Sequence, residues 1–490
     1  MRKNKSRLFG LVLSVSALAF IACSQPLKPY GSWYRPGGGG GGINVPDWED
    51  GSPRNIIEQL QWLQLNAQTG EVYYVWARLN EPQIPGNNNF GIEYNGRNNI
   101  TVYIRTYHNI PTQTLRLCTN STGAMLNIGY GNTLILQNIE LQGHDTPTPT
   151  SSWDEHLEHF FHPLIRVREG GKLEMNSASV IHSSLTGVFV DGGSFTMRDN
   201  ARVTDSYWDG VAVRYGDFTM KDNATVTANA RIGGNSFFLG AVPFSGVALA
   251  GGRLTMQGDS SVADNYGNGV LVMNSLYIAD FEYFTPSHVY DLINNITSGE
   301  LTMKDNASII NNNASGITAN FGGRIYMNDR ATVRDNGLHA LHNSIPAVLG
   351  GGAELRNLSV LTMNGHASVA NNIGVWTGGV LITRGSYLNM HSDDTWIGGN
   401  VNVGLWGGGG LVSMNTIATI NISGGTIYGD NAPDSRRRNV AVSNHAFCGG
   451  HHITVGSYTN GFTPNSSGTT TITPTSNTVK VRNNGSNVTF

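Results

Sequence analysis

The sequence predicts an all-β solenoid: a single-stranded, right-handed parallel β-helix with about 23 residues per coil. Three observations predict it. The first is a pattern written twice between Gly187 and Thr227. Gly187-Val188-Phe189-Val190, Gly193-Ser194-Phe195-Thr196-Met197 and Ala201-Arg202-Val203-Thr204 return as Gly210-Val211-Ala212-Val213, Gly216-Asp217-Phe218-Thr219-Met220 and Ala224-Thr225-Val226-Thr227, always at an offset of 23. The second is that each unit holds three runs of alternating apolar residues separated by Asp, Asn and Gly, which is three strands and three turns with no helical period. The third is the recurrence of the middle strand. Its Met stands at 175, 197, 220, 256, 303, 327, 363 and 390, at spacings of 22, 23, 36, 47, 24, 36 and 27.

One such unit cannot bury its own apolar face, so it must stack on its copies. The spacings near 23 are bare coils, and the longer ones are coils with a loop inserted at a turn. Phe195 and Met197, two apart on one strand, face inward below Phe218 and Met220 of the next coil. Asp199-Asn200 and Asp222-Asn223 fall at one corner, where short polar side chains bond their own backbone and tolerate a left-handed residue. Right-handed connection is the general preference of parallel strands. A Met column at strand spacing is core packing rather than a metal or partner site.

In chain order, Arg2, Lys3, Lys5 and Arg7 precede the apolar stretch Leu8 to Ala22, which is too short to span a bilayer and has the layout of a signal peptide over 1–22. Phe20-Ile21-Ala22-Cys23 resembles a bacterial lipobox, with Phe20 where Leu is usual; the resemblance implies lipidation of Cys23 and a membrane anchor. Residues 23–50, with Pro26, Pro29, Pro36 and the run Gly37 to Gly42, have the composition of a tether.

The β-helix is expected over 51–432 and a C-terminal cap or tail over 433–490. Ser52 and Pro53 suit the start of a helix whose Ile56, Ile57, Leu60, Trp62 and Leu63 form an apolar face, as a cap over an open β-helix end requires. Strands are expected at Glu71 to Arg78, Ile100 to Arg105, Thr114 to Cys118, Met125 to Ile128 and Thr133 to Leu141. At about 4.8 Å per coil, the solenoid separates Cys118 from Cys448, and no disulfide between them is expected.

The order of lipobox, tether, Leu60-Gln61-Trp62-Leu63, Gly131 to Leu141, Gly171-Lys172-Leu173-Glu174-Met175 and Gly425 to Pro433 is similar to that of the spirochaetal (treponemal-type) right-handed β-helix repeat lipoproteins. The resemblance implies this fold, a lipid anchor and a place in the bacterial envelope, at the outer membrane on its surface or periplasmic face.

The chemistry-bearing residues are few. Net charge is −3, so no overall basic field favours nucleic acid. His156, His159 and His162, with Glu155 and Glu158, have the residue types for zinc, yet diverge on a helix and alternate on a strand; a polar loop between coils is the plainer account. Asp191, Asp205 and Asp209 with Arg198, Arg202 and Arg214 are the residues a polysaccharide lyase or hydrolase groove would use. Against this, Asp199, Asp222, Asp305 and Asp329 recur at one repeat position, as turn residues do. Tyr207, Trp208 and Tyr215, with Trp376, Trp396 and Trp406, fall in or near turns and offer stacking faces for glycans or anchors for proteins; otherwise they cover the core.

The expectation is a non-enzymatic, adhesin-like or structural envelope protein without cofactor, meeting a host or neighbouring-cell glycan or protein through loops such as Arg231 to Pro243, Ala279 to Thr297 and Gly337 to Leu349. The alternatives are a carbohydrate-active enzyme on the same fold and a scaffold with no specific ligand.

Overall fold

The computed structural model describes residues 43–441 apart from internal segments, chiefly 87–90, 144–162, 232–243, 276–296, 338–349 and 404–408, together with short strands at 470–472, 479–481 and 488–489. Each coil lays one strand in each of three sheets before rising to the next. Ser194–Arg198 belongs to the first sheet, Arg202–Thr204 to the second and Val211–Arg214 to the third, and Asp217–Met220 returns to the first. Among the described residues the sheets hold thirteen, twelve and ten strands, parallel throughout but for one antiparallel strand at the C-terminal edge of the second. This is the expected parallel β-helix.

Phe195 pairs with Phe218, and their rings stack at 4.7 Å with 5° between planes, each 1% exposed. Such a stack adds about 1 kcal/mol to what area burial alone contributes. Met175, Met197, Met220, Met256, Met303, Met327, Met363 and Met390 follow one another in register and are fully buried. At the first corner Asp199, Asp222, Asp305 and Asp329 all adopt left-handed φ, between 54° and 57°. The carboxylates of Asp222, Asp305 and Asp329 accept a backbone N–H from the coil below, at Asp199, Gly258 and Asp305.

The second corner holds what the sequence reading missed, a buried column of asparagines: Asn229, Asn265, Asn312, Asn336, Asn372, Asn400 and Asn439. Each Nδ2 donates to Oδ1 of the next at 2.8–3.1 Å, and each backbone N–H donates to the same oxygen at 2.9–3.1 Å. The second Nδ2 hydrogen reaches a carbonyl of the second sheet one coil below, for instance Val262 O from Asn312 at 3.2 Å. No buried amide hydrogen is left without a partner, which is the condition for placing polar groups in a core. The column needs glycine beside it, since a Cβ on Gly210 would lie 2.6 Å from Asn229 Nδ2.

Helix α1 (Ile56–Asn66) lays Ile56, Ile57, Leu60, Trp62 and Leu63 into the N-terminal end of the core. It starts later than Ser52 and Pro53 suggested. Asn55 accepts from Glu58 N–H and Glu58 from Asn55 N–H, both at 3.0 Å, so this reciprocal cap fixes the start. Ser52–Pro53 instead pairs antiparallel with Trp48–Glu49. At the other end Arg97 donates to the carbonyls of Gln64 and Ala67 at 2.7 and 2.6 Å.

The run expected as one strand from Thr133 to Leu141 is two, Thr133–Gln137 in the first sheet and Ile139–Gln142 in the second, hinged at Asn138 with φ 51°. At the C-terminal end Val440–Ala441 pairs with Val401–Asn402, and Val488–Thr489 pairs antiparallel with Thr426–Ile427. Cys118, 2% exposed, is disulfide-bonded; Cys23 and Cys448 lie outside the described residues.

Candidate functional site

The outer faces of the sheets differ in what they leave open. On the third sheet Phe189, Ala212, Ala248 and Leu271 alternate with core residues and so point outward, in register with one another. All four are nevertheless buried, so this stretch of the face is closed. Glu354 lies on the same sheet, 2% exposed, and accepts from Arg356 Nε at 2.6 Å. Burial raises its pKa against the opposing pull of Arg356.

The outer face of the first sheet is open, and pairing register sorts it into three columns along the axis. One runs Lys172, Ser194, Asp217, Arg253, Glu300, Arg324; the middle one runs Glu174, Thr196, Thr219, Thr255, Thr302, Tyr326. Thr362 continues the middle column, which makes six hydroxyl side chains in unbroken succession from Thr196. The third column follows each Met and includes Arg198, Lys221, Gln257 and Lys304, tied to the coil below by bonds such as Lys221 N–H to Met197 O at 2.9 Å.

Over the coils from Lys172 to Asn328 the strip carries six cations, Lys172, Arg198, Lys221, Arg253, Lys304 and Arg324, and three carboxylates, Glu174, Asp217 and Glu300. Arg198 pairs with Glu174 at 2.6 Å and Arg253 with Asp217 at 2.6 Å. Lys172, Lys221, Lys304 and Arg324 make no ion pair among the described residues. The chain has only seven lysines, and the three between residues 29 and 479 are Lys172, Lys221 and Lys304, all on this strip. A chain of net charge −3 thus gathers an excess of positive charge on the open outer face of its first sheet.

The acidic and basic residues expected to share one groove are scattered. Asp191 is bound by Arg166 and Arg214 at 2.8 and 2.9 Å on the third sheet. Burial alone would raise its pKa, but the hydrogen bonds from Arg214 and Arg166 outweigh burial and hold it low. Arg198 is on the first sheet with Glu174, and Arg202 is exposed on the second. Asp205 is a left-handed corner residue, φ 57°, accepting from its neighbour Thr204 at 2.9 Å.

Asp209 is buried; its Oδ1 accepts from Ser245 N–H at 2.7 Å, and desolvation pushes its pKa up to about 7. It precedes strand Val211–Arg214, whose far end meets Asp191. The two carboxyl groups thus lie at opposite ends of a four-residue strand about 10 Å long, and among the described residues no contact joins them into the close pair that works at a glycosidic bond.

Of the aromatic candidates, Trp208 is a correction. It is 6% exposed and stacks on Phe244 at 5.2 Å, because the chain between Thr227 and Ser245 brings Phe244 across it. Tyr207 is half-buried, and Tyr215 is 49% exposed. Trp396 packs edge-on against Tyr428, 6.0 Å between centroids, beneath Arg437. Cys23, His156, His159, His162, Trp406 and nearly all of the inserted loops lie outside the described residues. Among the described residues no group of His, Cys, Asp and Glu is arranged to hold a metal ion.

No protein-family model and no curated protein matches the chain. Among solved structures it is similar to the A-module of the Azotobacter vinelandii mannuronan C-5 epimerase AlgE4, at 13% identity and TM-score 0.43, over 73% of this chain and 88% of that one. It is also similar to the enzymatically active domain of tailspike protein 2 of bacteriophage CBA120, at 13% identity and TM-score 0.45, over 75% of this chain and 49% of that one. A third similarity is to pectate lyase Pel9A, at 10% identity and TM-score 0.27, over 78% and 77%. These are likenesses of fold. The expectation of a non-enzymatic protein is corrected by them, since it rested on a repetitive β-helix with recurring turn carboxylates, and the similar chains carry the names of enzymes.

Proposed function

We propose that this is a carbohydrate-active β-helix protein that takes an acidic polysaccharide lengthwise along the outer face of its first sheet. The observation that carries this is the strip itself: six cations against three carboxylates, flanking a continuous column of hydroxyl side chains, on an open face of a chain that is acidic overall. An extended polyuronate offers a carboxylate and several hydroxyls per sugar, which match cations and hydroxyl groups repeating at the coil spacing of about 4.8 Å. Fixed cations beside a uronate carboxylate also stabilise the charge that develops when the neighbouring carbon loses its proton, which is the chemistry of elimination or epimerisation in such chains.

The test is incubation with polygalacturonate, alginate and a glycosaminoglycan, with dextran as the neutral control. Retention of the acidic polymers, weakened by salt, is expected together with new chain ends or altered sugar stereochemistry. Equal retention of dextran would defeat the charge-based reading. Binding with the polymer left unaltered would defeat the reactive half.

A further inference from the structure

The third corner, between the third and first sheets, carries a second row of side chains. Most coils turn there through a left-handed glycine, such as Gly170 at φ 70°, Gly192 at 77° and Gly251 at 71°. At Tyr215 the left-handed residue is instead a large aromatic, φ 55°, and at Phe321, φ 50°, a second one stands immediately before the left-handed Gly322, φ 80°. A bulky side chain costs about 1 kcal/mol or more in that conformation. Nothing is gained by burial in exchange, since Tyr215 is 49% and Phe321 44% exposed. Tyr130, at the same corner and 71% exposed, lays its ring over Gly170 of the next coil.

The three rings stand at a regular interval. Two first-sheet strands, Lys172–Asn176 and Ser194–Arg198, separate the coil of Tyr130 from that of Tyr215. Two more, Arg253–Met256 and Glu300–Met303, separate that of Tyr215 from that of Phe321. Each step is therefore three coils, about 14 Å along the axis. The residues that follow the corner in each coil, among them Lys172, Asp217, Arg253 and Arg324, form the near column of the cationic strip.

We infer that Tyr130, Tyr215 and Phe321 form a stacking rail that holds the flat faces of sugars, so that a polysaccharide on the first sheet is read at every third coil. This rests on the proposed binding of an acidic polysaccharide to that sheet and adds its register and minimum length. Stacking on an exposed ring supplies apolar contact that neither lysine nor threonine offers, and rings at a fixed corner select a chain lying parallel to the axis. A ligand that bridges two rings spans about 14 Å, so short oligomers engage one ring and longer ones two or three.

The test uses the full chain, polygalacturonate and size-fractionated oligogalacturonates. Glycine suits left-handed φ, so Tyr215→Gly with Phe321→Gly removes two rings without straining the corner, and the melting temperature is expected to hold or rise. Affinity for long oligomers is expected to fall roughly tenfold per ring removed, while Tyr215→Phe binds as the parent does. Oligomers too short to bridge two rings keep their affinity for the remaining Tyr130 ring when Phe321→Gly is added to Tyr215→Gly, and lose only the site at Phe321. Unchanged affinity of the double variant for polygalacturonate, with the parent binding well, overturns the rail and leaves the cationic strip intact. Absence of binding by the parent overturns both.

Discussion

Asn312 uses every polar atom of its side chain: Oδ1 accepts from Asn265 N–H and Nδ2, while Nδ2 donates to Asn336 Oδ1, Val262 O and Ile310 O. Replacing it with Ala strands these partners in a dry corner, and the expected loss is about 2–4 kcal/mol, measured as a lowered urea midpoint. The position was readable, because an Asn stands three residues after each inward residue Val226, Val262, Ile309, Val333, Val369 and Ile397 of the second sheet. It was passed over because asparagine near a turn ordinarily signals solvent.

Phe195 and Phe218 were legible since strand alternation alone decides which way they face. Burial of Trp208 was not, as it depends on Phe244, which lies beyond an inserted loop. Asp209 supports a pH prediction. Its folded pKa of about 7 lies above the ordinary 3.8, so its contribution to stability is fully present below about pH 4 and is lost as pH rises through 7. Asp209→Asn keeps an acceptor for Ser245 N–H and removes the titration. Parent and variant should melt alike near pH 4, with the variant higher at pH 8; a gap that does not change with pH would contradict this.

At the scale of elements, the strands of the first sheet were found by their Gly and Met punctuation, and the split of Thr133 to Leu141 was missed because Asn138 interrupts the run without breaking its apolar pattern. The site fared worse. Polar residues on the first sheet alternate visibly with the core, but alternation alone does not reveal that the outward Phe189, Ala212, Ala248 and Leu271 of the third sheet are buried. The carboxylates and arginines that looked like a groove are scattered over three sheets and a corner. The strip predicts that Lys221→Gln, Lys304→Gln and Arg324→Gln together weaken binding of acidic polysaccharide roughly tenfold at low salt, at modest individual cost since each charge is solvent-facing. The salt dependence should flatten with the affinity, and unchanged binding in a titration would remove the strip from the account.

The described coils form a column, and its length constrains the cysteines. Strand Gln113–Arg116, next to Cys118, and Thr426–Ile427 are ten strand spacings apart in the second sheet, about 48 Å. Cys448 is seven residues past Ala441, a reach of about 25 Å at full extension. The disulfide of Cys118 is therefore expected to exclude Cys448. A non-reducing peptide map joining Cys118 to Cys448 would contradict an unbroken column.

The same column gathers distant lysines onto one strip, which makes the central claim directly measurable. Lysine acetylation read by mass spectrometry, with and without saturating polygalacturonate, should show Lys172, Lys221 and Lys304 protected together while Lys28 and Lys480 react as before. Equal acetylation of all five in both conditions, with the polysaccharide bound, would place the ligand elsewhere and contradict the account.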